Sequence, residues 1–240
     1  MKPANKAVGM PAVHQIIVGA SRRDAITNMA LAMRDALRTT YKSEVYSFHQ
    51  PDESVKDEVI PLPKLNSGDA NDVLVYHSSF GIPRLTSMLQ TRSEKLALVY
   101  HNITPSSYYL GNDPEFAAAL QWGRHELSLL QPLVSAAFAD SQFNAEDLAQ
   151  YGYTDIVQLA AGVNPFRLKY EPTDSRLIGE LHSHFPDGYI LAVSQVIPHK
   201  RMELAIEAVH LLRTVHRLDV GTSGLMVVTK SECAYVGIKD

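Results

Sequence analysis

Apolar residues recur along the chain in short runs and in helical periods that alternate with each other. Val13 to Ala20 is a β-branched run that predicts a strand, and the stretch from Ile26 to Leu37 has the period of an amphipathic helix. The segment from Gln50 to Asp69, which is rich in proline, predicts a loop. Further strands are predicted at 43–48, 72–76, 95–100, 136–139, 155–159 and 189–193, and further helices at 115–133, 144–151 and 202–212.

This alternation indicates an α/β fold with a doubly wound parallel sheet that is covered on both faces. Such sheets bind ligands at the carboxyl ends of their strands. The composition becomes polar and proline-containing over residues 165–187, which we interpret as an interdomain linker. The predicted organisation is a first domain over 1–164, the start of a second domain over 188–213 and a separate C-terminal segment over 214–240.

The charge of the chain gives no reason to expect a general attraction to nucleic acid or to an anionic membrane. The formal net charge is −4 and the pI is near 6.2. Cys233 is the single cysteine, which excludes an intramolecular disulfide and a multi-cysteine zinc site, and no metal is predicted. Because the sequence shows neither a signal peptide nor an apolar membrane span, we expect a cytoplasmic protein.

Several short segments match, in order, those of one enzyme family. They are VHQ at 13–15, DAITN at 24–28, SEVY at 43–46, YHNITP at 100–105, GRHEL at 123–127, ADSQFNAEDL at 139–148 and ILAVSQVIPHKRMELAIEA at 190–208. Over residues 13–212 the chain resembles the retaining GT-B glycosyltransferases of family 4, in the branch that carries YHNITP. The resemblance implies a Rossmann-like N-terminal domain on the acceptor side and a truncated second domain. It also implies sugar transfer from a nucleotide-sugar co-substrate to an acceptor, without another cofactor.

Polar residues that follow two of the predicted strands are the candidate site for this activity. The resemblance implies that the loop from Arg22 to Asn28 approaches donor and acceptor, with Asp24 as the polar side chain that binds them. It implies that His101 lines the sugar pocket, as the candidate catalytic residue, with a buried structural histidine as the alternative. Asn102 and Thr104 belong to the same bent, polar loop and are candidate substrate-binding residues. For Asp24, capping of the helix that follows is an equal alternative.

For other polar residues, a purely structural role remains an alternative interpretation. The resemblance implies that Ser141 lies on the acceptor side, and a role as the N-cap of the next helix explains it nearly as well. For His77, which also follows a strand, a functional and a structural role remain equally open. We interpret Arg124 and Glu126, within GRHEL, as solvated or locally ion-paired on a long helix.

The second domain departs from the family pattern. The family carries an arginine and then a lysine that face the donor diphosphate. Lys200 matches the lysine, whereas Gln195 stands at the arginine position and lacks its charge. The pair of glutamates that the family places further along, for the donor's ribose and sugar, is absent from the sequence. We therefore expect an incomplete transferase, with an inactive remnant as an alternative.

The last segment changes character at Thr214. Over 215–240 it resembles the active-site segment of the RluA-like pseudouridine synthases, with their HRLD-x-x-TSG pattern. Under this alternative Asp219 is the catalytic carboxylate for the isomerisation of uridine in RNA. The other motif residues are His216, Arg217, Thr222, Ser223 and Gly224. A β-hairpin without activity and a non-catalytic gene-fusion product are further hypotheses, and the sugar, the acceptor and the oligomeric state remain open.

Overall fold

A computed structural model describes residues 10–159, 173–186, 190–195, 197, 200–207, 213–214 and 223–229. The chain divides into two compact units, Met1–Val163 and Asn164–Asp240. The described strands of the first unit are β1 (Val13–Ile17), β2 (Val45–Ser47), β3 (Ile60–Pro61), β4 (Val73–Ser78), β5 (Lys95–Tyr100), β6 (Val134–Ala139) and β7 (Val157–Gln158). Its described α-helices are α1 (Ala25–Leu37), α2 (Pro83–Gln90), α3 (Pro114–Leu130) and α4 (Gln142–Ala149). No helix in the described ranges has the length and apolar character to cross a membrane.

The first unit is built on one parallel sheet. Its strand order is β3-β2-β1-β4-β5-β6-β7, and every adjacent pair is parallel. The predicted α/β class with a Rossmann-like parallel sheet is thereby confirmed. The chain adds β2 and β3 on one side of β1 and then returns to add β4 on the other, so the order reverses between β1 and β4. The two outermost strands have two residues each.

Alternate side chains of the strands enter separate apolar cores, because successive residues of a strand point to opposite faces. Ile16 of β1 and Tyr76 of β4 belong to the larger core, which also contains Leu127 of α3. The neighbouring Ile17 packs with Ala30 of α1 in a second core. Helices therefore cover both faces of the sheet.

Side-chain caps fix the start of the main helices. Asp24, Asp113 and Ser141 accept hydrogen bonds from the backbone N–H groups three residues ahead, which satisfies donors that the first turn leaves free. Helix α4 consequently begins at Gln142, two residues earlier than predicted. Gly152, with φ of 87°, takes the left-handed conformation shortly after that helix ends.

Two helices lie where the sequence predicts none. Helix α2 begins directly at Pro83, because proline is well suited to the first helical position. Helix α5 (Ser175–His184) lies within the predicted linker. Its start is fixed by Asp174, whose Oδ1 accepts from the backbone N–H groups of Arg176 and Leu177 at 3.1 Å each.

The second unit contains a small antiparallel sheet. Its other described elements are β8 (Ile190–Gln195), α6 (Met202–Glu207), β9 (Arg213–Thr214) and β10 (Ser223–Thr229). Strand β10 lies between β8 and β9 and is antiparallel to both. The C-terminal segment thus supplies a neighbour to the strand that opens the second domain, with Ser223 opposite Gln195.

Candidate functional site

The edge of the sheet at which the strand order reverses contains a cavity of about 260 Å³. The loop after β1 lines it with Gly19, Ser21 and Asp24, and the loop after β4 lines it with Ser79 and Phe80. Parallel α/β sheets bind ligands at the carboxyl edge where the strand order reverses, because the loops of the two adjacent strands separate there. The cavity is therefore the first element of the candidate site.

Asp24 both caps α1 and lines this cavity. Its Oδ2 accepts from the backbone N–H and the hydroxyl of Thr27, each at 2.7 Å. Within the described part of the chain, Oδ1 accepts no hydrogen bond. The two interpretations of Asp24 are therefore compatible, since one oxygen holds the helix and the other is available to a ligand.

Three polar side chains form a buried chain of hydrogen bonds beneath the edge. The amide Nε2 of Gln15 donates to the Ala30 carbonyl at 2.8 Å, so its Oε1 faces Nε2 of His77 at 3.0 Å. An amide oxygen only accepts, so that nitrogen of His77 carries a proton. Burial lowers the pKa of His77 well below its ordinary value, which keeps the ring neutral. Its Nδ1 then accepts from Nε2 of His101 at 2.9 Å.

The other nitrogen of His101 faces a carboxylate. Nδ1 lies 3.5 Å from Oδ2 of Asp140, and Asn144 donates to the second oxygen of Asp140. The nearby His101 side chain is the main cause that lowers the pKa of Asp140. The His101 side chain is only 5% exposed. It lies at the predicted edge, but both ring nitrogens are engaged, so it orients this edge through Asp140 and His77.

Asn102 is held in a conformation that few residues adopt. Its φ is 71°, in the left-handed region that asparagine tolerates better than most side chains. Both backbone groups of Ile103 are bound by side chains, its N–H by the Tyr100 hydroxyl at 3.2 Å and its carbonyl by Nη2 of Arg124 at 2.6 Å. The loop is therefore preorganised. The side chains of Asn102 and Thr104 are half-buried and make no hydrogen bond to any other described residue.

The interpretation of Arg124 and Glu126 as solvated or locally paired is wrong. Arg124 binds the Ile103 carbonyl and pairs with Asp147, 23 residues away, at 3.3 Å. Glu126 is fully buried, accepts from the Tyr76 hydroxyl at 2.7 Å and contacts the Thr86 hydroxyl. Glu126 points into the core beneath α3, whereas the Arg124 side chain, which is 31% exposed, reaches the loop after β5 and helix α4. Their partners are therefore distant in sequence.

Ser141 is an exposed helix cap. Its Oγ accepts from the Asn144 N–H at 3.1 Å, and it follows Asp140, the partner of His101. The sequence prediction overlooked Asp140, Gln15 and the role of Arg124. Two signals were present, since Asp140 directly follows β6 at the same edge as His101, and Gln15 is a polar residue within an apolar strand.

The predicted donor-side residues belong to the second unit. Gln195 ends β8, and Lys200 is exposed, with its backbone N–H donating to the Ile197 carbonyl at 3.0 Å. Ser223 and Gly224 begin β10. His216, Arg217, Asp219 and Thr222 lie outside the described residues, so the pseudouridine synthase site stays a prediction. Across the described ranges, no group of three or more histidine, cysteine or acidic side chains is arranged to hold a metal ion.

The fold and this edge define an α/β protein with a Rossmann-like first unit and a candidate ligand site at the strand-order reversal. A scan against models of known protein families finds no match. A search of curated proteins also finds no similar sequence.

Proposed function

We propose that the first unit is the acceptor side of a nucleotide-sugar-dependent glycosyltransferase of the retaining GT-B type. The observation that carries the proposal is the position of the two motif loops. DAITN follows β1 and YHNITP includes the end of β5, so both reach the carboxyl edge of the same parallel sheet. That edge also contains the cavity at the strand-order reversal.

The polar groups at this edge suit the recognition of a sugar. A sugar hydroxyl both donates and accepts, and it is bound well by amide, hydroxyl and carboxylate groups that have no other partner. Asn102 and Thr104 offer an amide and a hydroxyl, and Asp24 offers one carboxylate oxygen. The pair of His101 and Asp140 places an acidic group beside the loop, where it stabilises positive charge that develops on the sugar.

The donor diphosphate requires cations or backbone N–H groups, because these meet its charge without deprotonation. The resemblance assigns that role to Lys200, with Gln195 as an uncharged hydrogen-bonding partner. The nucleotide-sugar is thus a co-substrate, and the reaction leaves a nucleoside diphosphate.

A titration of the full chain with UDP- and GDP-sugars tests the proposal. We expect the amide NMR signals of Asp24 and Asn102 to shift with at least one donor at millimolar concentration. Asn102→Ala combined with Thr104→Val removes the two polar groups that have no hydrogen-bond partner among the described residues, and it should weaken binding about tenfold or more. Asn71→Ala combined with Thr39→Val makes the same chemical changes at exposed positions and should leave binding unchanged. Absence of any saturable shift across the panel contradicts the proposal.

A further inference from the structure

A second and larger cavity lies between α2 and the segment that follows β3. Its volume is about 450 Å³, which is in the range of small-molecule sites. Phe48, which follows β2, forms one wall, and Leu62 and Leu65 come from the segment after β3. Met88 and Arg84 come from α2. None of these residues lines the cavity at the strand-order reversal.

The apolar part of the lining continues the main core of the unit. Phe48, Leu62, Leu65 and Met88 are half-buried, and each packs against the larger apolar core. Each of the four also presents part of its surface to the cavity. An apolar ligand would remove this surface from water, and the packed core behind it keeps the wall in place.

Two arginines give the cavity a positive charge, but only one is available. Arg92 is bound to the Glu94 carboxylate and donates to the Asn66 carbonyl at 2.7 Å. Arg84 is exposed, and its side chain forms no ion pair or hydrogen bond with the other residues that the structure describes. Its guanidinium is therefore free to bind an anion in the planar, two-pronged geometry that suits a carboxylate.

We propose that this cavity binds a small amphipathic molecule with an apolar body and one carboxylate, which is held by Arg84. A nucleotide or a free sugar is a poorer fit, because the lining is mostly aliphatic and aromatic and offers one available cation. This site is separate from the proposed transferase chemistry and does not depend on it.

The test uses the full chain and a series of straight-chain carboxylates, namely hexanoate, octanoate and decanoate, with the matching alcohols. We expect saturable binding by calorimetry, with affinity that rises about fourfold for each added methylene until the cavity is filled. In the NMR spectrum the methyl signal of Met88 should shift, whereas the signal of Met29, in the core on the α1 side, should not.

Two variants test the contributions of the charge and of the apolar wall to binding separately. Arg84→Gln should weaken carboxylate binding about tenfold and leave alcohol binding unchanged. Arg38→Gln removes the same charge from a residue outside the lining and should change neither. Leu65→Gln should weaken both ligand classes. If no carboxylate binds saturably, or if Arg84→Gln and Arg38→Gln have the same effect, the proposal is overturned. Because no nucleotide-sugar enters this test, its failure leaves the proposed transferase function unaffected.

Discussion

The buried carboxyl group of Glu126 links the stability of the first unit to pH. Burial is the main cause that raises its pKa above the ordinary value of 4.5, although hydrogen bonds from Thr86 and Tyr76 oppose the shift. The folded chain therefore binds this proton more tightly than the unfolded chain. The contribution to the free energy of unfolding is complete below about pH 4.5 and is lost as the pH rises through the folded-state pKa.

Replacement of Glu126 by glutamine should remove this pH dependence, because the amide is neutral at every pH and still reaches Tyr76 and Thr86. We expect the free energy of unfolding, measured with urea from pH 4 upward, to fall less steeply in the variant than in the original chain. Glu53→Gln, at a side chain that is 86% exposed, serves as the matched control. Parallel pH profiles for Glu126→Gln and the original chain would show that the carboxyl group does not have the raised pKa.

The His77 ring has the opposite effect on the pH dependence of the free energy of unfolding. Its pKa is lowered by burial, so it contributes stability above the ordinary pKa of 6.5 that is lost as the pH falls through the folded value. It is also the residue that fixes which nitrogen of His101 donates. Acidification thus weakens the hydrogen-bond chain of Gln15, His77 and His101 at its central member.

At the scale of elements, helix α3 holds the candidate site loop through one side chain. Arg124 binds the carbonyl of Ile103, and this fixes the loop that contains Asn102. The contact joins a helix to a loop residue 21 positions earlier in the chain. The loop conformation is therefore a property of the packing between α3 and β5, in addition to its own sequence.

Arg124→Met should release the loop, because it leaves the Ile103 carbonyl without its donor. We expect the free energy of unfolding to fall by about 1–3 kcal/mol, and hydrogen exchange at the Asn102 and Ile103 amides to become faster. Arg124→Lys keeps the charge opposite Asp147 but lacks the planar group that binds several acceptors, so we expect an intermediate effect. Unchanged exchange in Arg124→Met would contradict this role.

Helix α3 also approaches the loop before α2 at two glycines. A Cβ atom on Gly123 would lie 2.7 Å from the backbone nitrogen of Gly81, which itself donates to the Ala119 carbonyl at 3.1 Å. This distance is far below a normal van der Waals contact. The close approach of these two backbones therefore requires glycine on both sides.

Gly123→Ala should destabilise the chain by about 1–3 kcal/mol, since overpacking against a backbone outweighs the better helix propensity of alanine. Gly179→Ala provides the control, because a Cβ there meets nothing within 4 Å and the residue lies inside a helix. We expect that control to raise stability slightly. Thermal unfolding followed by circular dichroism measures both, and equal stability of the two variants would disprove the packing argument.

The sequence predicts local elements better than it predicts contacts between them. Strand β5 has the predicted bounds, because the five residues after Lys95 form an apolar run that is buried in the interior of the sheet. Helix α2 was missed because Pro83 indicates a turn as readily as a helix start. Glu126 was misinterpreted because Tyr76 and Thr86 lie 50 and 40 residues away. The pairing of His101 with Asp140 required knowledge that β6 lies next to β5.

At the scale of the whole molecule, the two units have sheets of different kinds. The first has a parallel sheet with helices on both faces, and the second has an antiparallel sheet in which β10 lies between β8 and β9. The candidate sugar-binding groups Asp24, Asn102 and Thr104 belong to the first unit, and Lys200 belongs to the second. The residues that the proposed function invokes for the acceptor and for the donor therefore belong to different units.

The two-residue strands at the margins of the parallel sheet bear on how the protein behaves at high concentration. An exposed margin with a long row of unpaired backbone groups recruits strands from other chains and leads to aggregation. Here β3 ends in Pro61, which has no N–H to donate, and β7 spans only Val157–Gln158. In the described part of the chain, each margin thus offers few backbone groups to a foreign strand, which limits intermolecular β-pairing with the sheet.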